Sequence, residues 1–396
     1  MKIALVHDFL VQDGGAERVL KAFHDIWPDA PTFTLLYEPS KMHASFRKRD
    51  IRTSFLQRIP FASAWYKWFL PLMPAATEHH DLSGYDVVLS SASAFAKGVL
   101  TSPDQLHICY CHTPTRYLWS DAHGYLSEIG VPEPVRSLLP PIMSRLRVWD
   151  RAAADRVDRF IANSVTVRAR IAKYYSRPAD VIHPPVDTAR FHAGTGRGGY
   201  YLAGGRLVPY KRFDIIVRAF NKLGLPLKIF GVGPEMARLR AMAKPNIEFL
   251  GKVSESLKPA LYADAVAYMN PQEEDFGITA VEAMAAGRPV IAFGRGGGAE
   301  TVVDGVTGVH MEEQSWEELA GSILRFDAAA FDPAAIRAHA KRYDVERFQT
   351  AMRAYVNRAY AQWRDERDEQ RTKDGIESVM TQSGHETHRD RHQVIA

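Results

Sequence analysis

Two cysteines in 396 residues are too few for a disulfide scaffold, and their placement says more. Cys109 and Cys111 stand in the run Ile108-Cys109-Tyr110-Cys111-His112. Alternate residues of a strand share a face, so a metal-binding pair is conceivable there. A closed zinc site needs about four ligands, however, and no second Cys/His cluster follows in the sequence. Two reduced cysteines in a buried strand is the plainer reading, and it places the chain in a reducing, cytoplasmic compartment. Also missing is any run of roughly 18 or more apolar residues, which sets aside a membrane-spanning helix. Met1–Val6 is a short apolar run with a single lysine and reads as a first strand, not as a signal peptide. A formal net charge of +4 is too mild to imply a nucleic-acid partner. After the first strand stands Asp13-Gly14-Gly15-Ala16-Glu17-Arg18, which lacks the G-x-G-x-x-G spacing of dinucleotide binding and argues against a nicotinamide enzyme.

What is present is a chain too long for one ordinary core, with strand and helix signals in alternation. That pattern predicts parallel sheets covered by helices. Strands are expected at residues 1–7, 85–89, 106–111 and 160–162, with a helix capped by Ser164. A Pro-rich turn at His183–Asp187 and a Gly-rich linker at 193–199 precede a second series. There, strands are expected at 200–204, 227–230, 247–250, 265–269 and 290–292, with helices at 212–222 and 278–286. The pattern gives a first domain over 1–186, a second over 187–345, and a helix over 346–366 that could return to the first. Residues 367–396 are polar and charged and are expected to form a disordered tail.

Four stretches carry candidate chemistry. In Glu274-Asp275-Phe276-Gly277-Ile278-Thr279-Ala280-Val281-Glu282 two glutamates stand with seven residues between them. Glu282 shares a helical face with Ile278, Val281 and Ala285, where a carboxylate needs a partner. A ribose with two adjacent hydroxyls would serve, and the helix start at Phe276, Gly277 and Ile278 offers N–H groups to a phosphate. A capping Glu274 and a solvated Glu282 is the competing structural reading. Gly204-Gly205-Arg206 through Lys211 falls between a strand and a helix, where α/β folds bind ligands. Arg206 and Lys211 there suit a diphosphate. Gly14 and Gly15 allow a ligand close to the backbone, and His112 ends a strand before Thr113-Pro114. Finally, Lys48, Arg49 and Trp65 belong to a segment over 46–73 that mixes basic and aromatic residues, suited to an anionic membrane surface or to packing within its own domain.

Taken together and in this order, these stretches resemble glycosyltransferase family 4. The resemblance implies the GT-B fold, two Rossmann-like domains facing a central cleft. The Val6-His7-Asp8-Phe9, Gly14–Arg18 and Cys111–Trp119 elements look like the branch of bacterial mannosyltransferases that build O-antigen and exopolysaccharide units. What this implies is a retaining, metal-independent hexosyl transfer with GDP-mannose as donor. The acceptor would be a polyprenyl-diphosphate saccharide, met at the cytoplasmic face of the inner membrane by a peripheral protein. Arg206 and Lys211 would neutralise the departing diphosphate, Glu282 would hold the ribose, and Glu274 would lie near the reacting sugar carbon. His112 would contact a sugar hydroxyl or the anomeric centre. One departure is Gly296-Gly297-Gly298-Ala299-Glu300-Thr301, where many relatives carry a bulkier residue beside the glycines. A nucleotide-sugar epimerase or hydrolase of the same fold, or a non-catalytic nucleotide-sugar sensor, are the alternatives.

Overall fold

The computed structural model describes residues 1–122, 139–194, 196 and 198–390, and the side chains of all these except Ala64, Lys67 and 374–390. Residues 1–350 form one compact unit and 351–396 a second. Within the first unit lie two parallel sheets. The N-terminal one is built from β1 (Ile3–His7), β2 (Thr32–Thr34), β3 (Ile51–Thr53), β4 (Val87–Ala92), β5 (Leu106–Cys111), β6 (Arg159–Ala162) and β7 (Asp180–Val181). Its spatial order is β3-β2-β1-β4-β5-β6-β7. The other uses β8 (Tyr201–Gly204), β9 (Leu227–Phe230), β10 (Ile247–Gly251), β11 (Tyr268–Asn270), β12 (Val290–Phe293) and β13 (Gly308–Met311), ordered β10-β9-β8-β11-β12-β13.

Both orders reverse once, between β1 and β4 and between β8 and β11. In a doubly wound sheet that reversal opens a crevice beyond the carboxyl ends of the two strands. The strands beside it are buried on both faces, as β1, β4 and β5 show along their whole length, which is why they read as mostly apolar runs. Amphipathic helices supply the cover. Gly15–Ile26 buries Val19, Leu20, Phe23 and Ile26, and Phe213–Leu223 buries Phe213, Ile216, Val217 and Phe220. Their spacing of three and four is that of a helix with one apolar face.

Small polar devices shape the loops at the strand ends. The Asp8 carboxylate, just past β1, accepts the backbone N–H groups of Ser93, Ala94, Phe95 and Ala96 at 2.6–2.9 Å. It thereby pins the loop after β4 over the first switch point. Behind it, the Lys97 ammonium is buried against Asp150, whose carboxylate also accepts from Thr115, Trp119 and Tyr175. Ser164 caps the Val165–Tyr175 helix through Val167 N–H at 3.1 Å, where the sequence puts the cap.

The last helix runs Val345–Asp390. At its start Phe348 stacks on Phe23 and meets Tyr110 edge-on, with ring centroids 5.8 Å apart in both pairs. The helix continues past residue 366, beyond which the sequence predicts a disordered tail. Arg, Glu, Gln and Lys are good helix formers, so a segment with little apolar content still extends the helix. Thr195 and Arg197 of the expected linker, and 391–396 of the expected tail, lie outside the described residues.

Candidate active site

The second switch point gathers the chemistry. The loop after β8 carries Lys211 and the loop after β11 carries Glu274, and Lys211 Nζ lies 2.6 Å from Glu274 Oε1. Gln272 Nε2 donates to the same oxygen at 2.9 Å and to Asn270 Oδ1 at 2.7 Å. Burial alone pushes the Glu274 carboxyl up. The Lys211 ammonium and the Gln272 hydrogen bond outweigh it and hold the group below the usual carboxylate range. Burial likewise works against the Lys211 charge, yet Glu274 raises its net affinity for the proton. The result is a charged pair, with Glu274 buried and Lys211 partly so. Arg206 lies beside it in sequence, exposed, with no ion pair among the described residues.

The helix Ile278–Ala285 begins from Gly277, whose φ of +94° is the left-handed conformation that glycine adopts at little cost. Among the described residues the N–H groups of Gly277 and Ile278 meet no backbone acceptor. Phe276 belongs instead to the core, against His183 and Tyr343. The Gly296–Gly297 turn lies directly on this loop, and Gly297 N–H donates to Glu274 O at 2.7 Å. A Cβ on Gly297 would come 2.3 Å from Phe276 O, which accounts physically for the glycine at the centre of the triple.

Glu282 is 1% exposed, so the solvated reading of it does not hold. Its partners are protein groups: Arg18 Nη1 at 2.6 Å and the Tyr262 hydroxyl at 2.9 Å. Arg18 comes from the helix after β1, so the first and second switch points face each other through this pair. Two more arginines of the N-terminal half reach across. Arg116 lies 2.5 Å from Asp275 and over the Tyr210 ring at 4.3 Å. Arg170 pairs with Asp275 and, at 3.2 Å, with Glu273. The Gly15 backbone sits so close to Ile278 that a Cβ there would lie 3.0 Å from Ile278 Cδ1. Gly14 N–H is held by Glu17 Oε2 at 2.9 Å.

His112 follows β5, and its Nε2 lies 2.8 Å from Ser91 Oγ. Burial, with His7 nearby, pushes its pKa down to about 3, so at neutral pH the ring is uncharged. The structure thus brings Gly15 and Ile278 into contact and Lys211 onto Glu274. Arg18, Arg116, Arg170, Asp275, Tyr262 and Gln272 join the site without having stood out in the sequence as site residues. Four of these six are charged, but a lone charge carries no signal until its partner from the other half is seen.

The remaining candidates lie elsewhere. Cys109 and Cys111 are free and buried, and burial raises both thiols, Cys109 to about 12, which leaves them unreactive. Lys48 is exposed. Arg49 instead donates to Pro28 O at 3.0 Å and faces Asp25, so it is tied into its own domain. Trp65 is 60% exposed, with Phe61, Trp68 and Leu72 also outside. Phe46 and Leu56 of the same segment are core, so the segment divides between the two readings offered for it. Among the described residues no helix is long and apolar enough to cross a membrane.

Twin doubly wound sheets whose switch points face each other across cation–carboxylate pairs define a two-lobed α/β architecture. Comparison with known proteins gives the family. Residues 14–190 match the model for Glycosyltransferase Family 4 and residues 190–341 that for Glycosyl transferases group 1. The chain is a glycosyltransferase of this type, with the GT-B fold. It is 29% identical over 324 residues to a D-inositol 3-phosphate glycosyltransferase of Mycolicibacterium paratuberculosis, covering 74% of this chain and 71% of that one. The protein of the same description from Mycobacterium tuberculosis is 30% identical over 73% of this chain and 65% of its own length. Among solved structures, Anabaena Alr3699/HepE in complex with UDP and glucose superposes with a TM-score of 0.68 at 18% identity, over 90% of this chain and 99% of that one. Sucrose-phosphate synthase from Thermosynechococcus elongatus superposes with a TM-score of 0.69 at 16% identity, over 91% of this chain and 100% of that one.

Proposed function

We propose that the chain transfers a hexosyl group, with retention, from a nucleoside diphosphate sugar to a lipid-linked saccharide. Its motif set points to GDP-mannose as donor and a polyprenyl-diphosphate saccharide as acceptor. The observation that carries the reading is the Lys211–Glu274 pair at the second switch point, with an exposed Arg206 beside it and N–H groups at Gly277 and Ile278 that meet no backbone acceptor among the described residues. These groups offer positive charge to a departing diphosphate as its negative charge develops, and such electrostatic stabilisation contributes most to lowering the barrier. They need no metal to do so. Glu282 takes the ribose hydroxyls once Arg18 yields one of its oxygens. Glu274 sits at the donor sugar, and His112 accepts a hydrogen bond from a sugar hydroxyl. In same-face attack the bond from the anomeric carbon to phosphate oxygen breaks as the acceptor oxygen bonds that carbon. The acceptor's proton passes to the leaving phosphate.

Phe61, Trp65, Trp68 and Leu72 recur at intervals of four, three and four along the helical run over 62–72. All four are exposed. With Lys48 on the same segment, they support docking on an anionic membrane at the cytoplasmic face. Replacing Lys48, Trp65 and Trp68 together by alanine is expected to abolish co-sedimentation with phosphatidylglycerol vesicles. Undiminished binding would remove the membrane from the reading.

A second reading is favoured by the comparisons: a UDP-hexose donor and a small phosphorylated polyol acceptor. Its support is the inositol phosphate named for the relatives and the UDP and glucose named for Alr3699/HepE. The test offers GDP-mannose or UDP-glucose with either acceptor and identifies products by mass spectrometry. Mannosylated lipid supports the first reading and hexosylated inositol phosphate the second. Donor hydrolysis at the full turnover rate, with no transfer to either, contradicts both.

A further inference from the structure

Three polar side chains end three neighbouring strands at the first switch point. His7 closes β1, Ser91 lies opposite it on β4 in register, and His112 follows the last residue of β5. Ser91 Oγ is 3.0 Å from His7 Nδ1 and 2.8 Å from His112 Nε2, and all three residues are buried. A serine hydroxyl carries one proton. With both rings in the uncharged form it donates to one and accepts from the other, and the line has a direction.

Glu17 sets that direction. Its Oε2 accepts Gly14 N–H at 2.9 Å, while Oε1 faces His7 Nε2 at 3.7 Å. The second distance exceeds a hydrogen bond, but His7 and Glu17 are 3% and 5% exposed at the side chain, where charge is poorly screened. A lone pair on His7 Nε2 would face the carboxylate's own lone pairs, whereas an N–H there is attracted. With the proton on Nε2, His7 Nδ1 is bare and accepts from Ser91. Ser91 in turn accepts from His112 Nε2–H, which leaves the lone pair of His112 on Nδ1. Among the described residues no hydrogen bond reaches that nitrogen.

We infer that Glu17, His7 and Ser91 form a positioning relay that fixes His112 as its Nε2–H tautomer and presents Nδ1 as an acceptor for a hydroxyl of the bound sugar. The inference rests on the reading of His112 as a sugar contact. It also gives Glu17 two tasks on one carboxylate: holding the Gly14-Gly15 turn and setting the histidine 95 residues further along the chain. Three residues outside direct contact with substrate thereby decide whether His112 offers a lone pair or a proton.

The test uses the full chain labelled with nitrogen-15 at histidine, with two-bond proton–nitrogen correlations recorded at neutral pH and His112 assigned by its loss in His112→Asn. The expected wild-type pattern is a protonated Nε2 and a bare Nδ1 at His112. In Ser91→Ala the two tautomers should mix, kcat should fall about tenfold for the loss of one oriented hydrogen bond, and the donor KM should stay within about twofold. Ser91→Thr keeps the hydroxyl and should restore both the spectrum and most of kcat, which separates the relay from a packing defect. A wild-type His112 protonated on Nδ1 overturns the inference. So does a Ser91→Ala enzyme with wild-type kcat when His112→Asn is impaired. If His112→Asn itself turns donor over at the wild-type rate, it is the underlying role of His112 that fails, whatever its tautomer.

Discussion

At the scale of single residues, the site depends on charges that are buried in pairs. Lys211 and Glu274 are held 2.6 Å apart, and removing one partner leaves the other charge buried and uncompensated, at a cost of about 3–5 kcal/mol. Lys211→Ala is therefore expected to lower the melting temperature clearly and to weaken donor binding by at least about tenfold, the worth of one charge-assisted hydrogen bond. Arg206→Ala should weaken donor binding with no loss of stability, because Arg206 is exposed and makes no ion pair among the described residues. Thermal melts and donor titrations of the two variants check the contrast. The candidate residues were legible in the sequence, since a strand end, two glycines and a lysine form the pattern from which the anion site is proposed. Their partners were not. Arg18 and Glu282 are 264 positions apart, and nothing local marks one as the other's counter-ion. The apolar helical face around Glu282 did show that a partner had to exist.

Between elements, contacts are made by backbone as much as by side chains. Gly15 touches Ile278 with no room to spare, since a Cβ would sit 3.0 Å from Ile278 Cδ1. Gly15→Val should therefore push the start of the Gly15–Ile26 helix away from the start of the Ile278–Ala285 helix and reduce transfer. Shortening the obstacle in the double variant Gly15→Val/Ile278→Ala should recover much of it, and a double variant no better than the single would argue against this contact. Strong apolar strands such as β1, β5 and β9 were readable from the sequence because burial leaves them mostly apolar. The edge and outer strands β2, β3 and β13 were not. They are three or four residues long and contain Thr32, Arg52 or His310, so neither alternation nor an apolar run has space to show. The end of the last helix was missed for a different reason: composition reports whether a segment can bury a core, not whether its helix propensity carries it on from an anchored turn.

Over the whole molecule, His24, His80, His107 and His112 are buried in the uncharged form. Burial lowers His24 and His80 to about 4 and His107 and His112 to about 3. In the unfolded chain each titrates near about 6.5. Between that value and their folded values the unfolded state binds more protons, so stability is full above about pH 6.5 and falls as the pH drops toward 4 and 3. Each group contributes a slope of up to about 1.4 kcal/mol per pH unit. Denaturant unfolding between pH 7 and pH 5 should show this loss, and His107→Asn should make the slope shallower by close to one proton. A flat profile over that range would contradict the buried neutral state of these rings. Charge is also divided across the molecule. Arg18, Arg116 and Arg170 stand on one side of the cleft, with Glu255, Glu273, Asp275 and Glu282 on the other. On the proposed reading, a nucleoside diphosphate sugar enters among these pairs and shares Glu282 with Arg18.

The most direct test of the proposed donor site is calorimetric titration of the protein with GDP-mannose, UDP-glucose and UDP-N-acetylglucosamine, repeated on Lys211→Ala. The predicted result is selective binding of GDP-mannose, weakened at least about tenfold by the substitution. Selective binding of a uridine donor with the same sensitivity to Lys211 would keep the site and discard the mannose assignment. A donor that binds wild type and Lys211→Ala equally well would contradict the placement of the diphosphate at the second switch point.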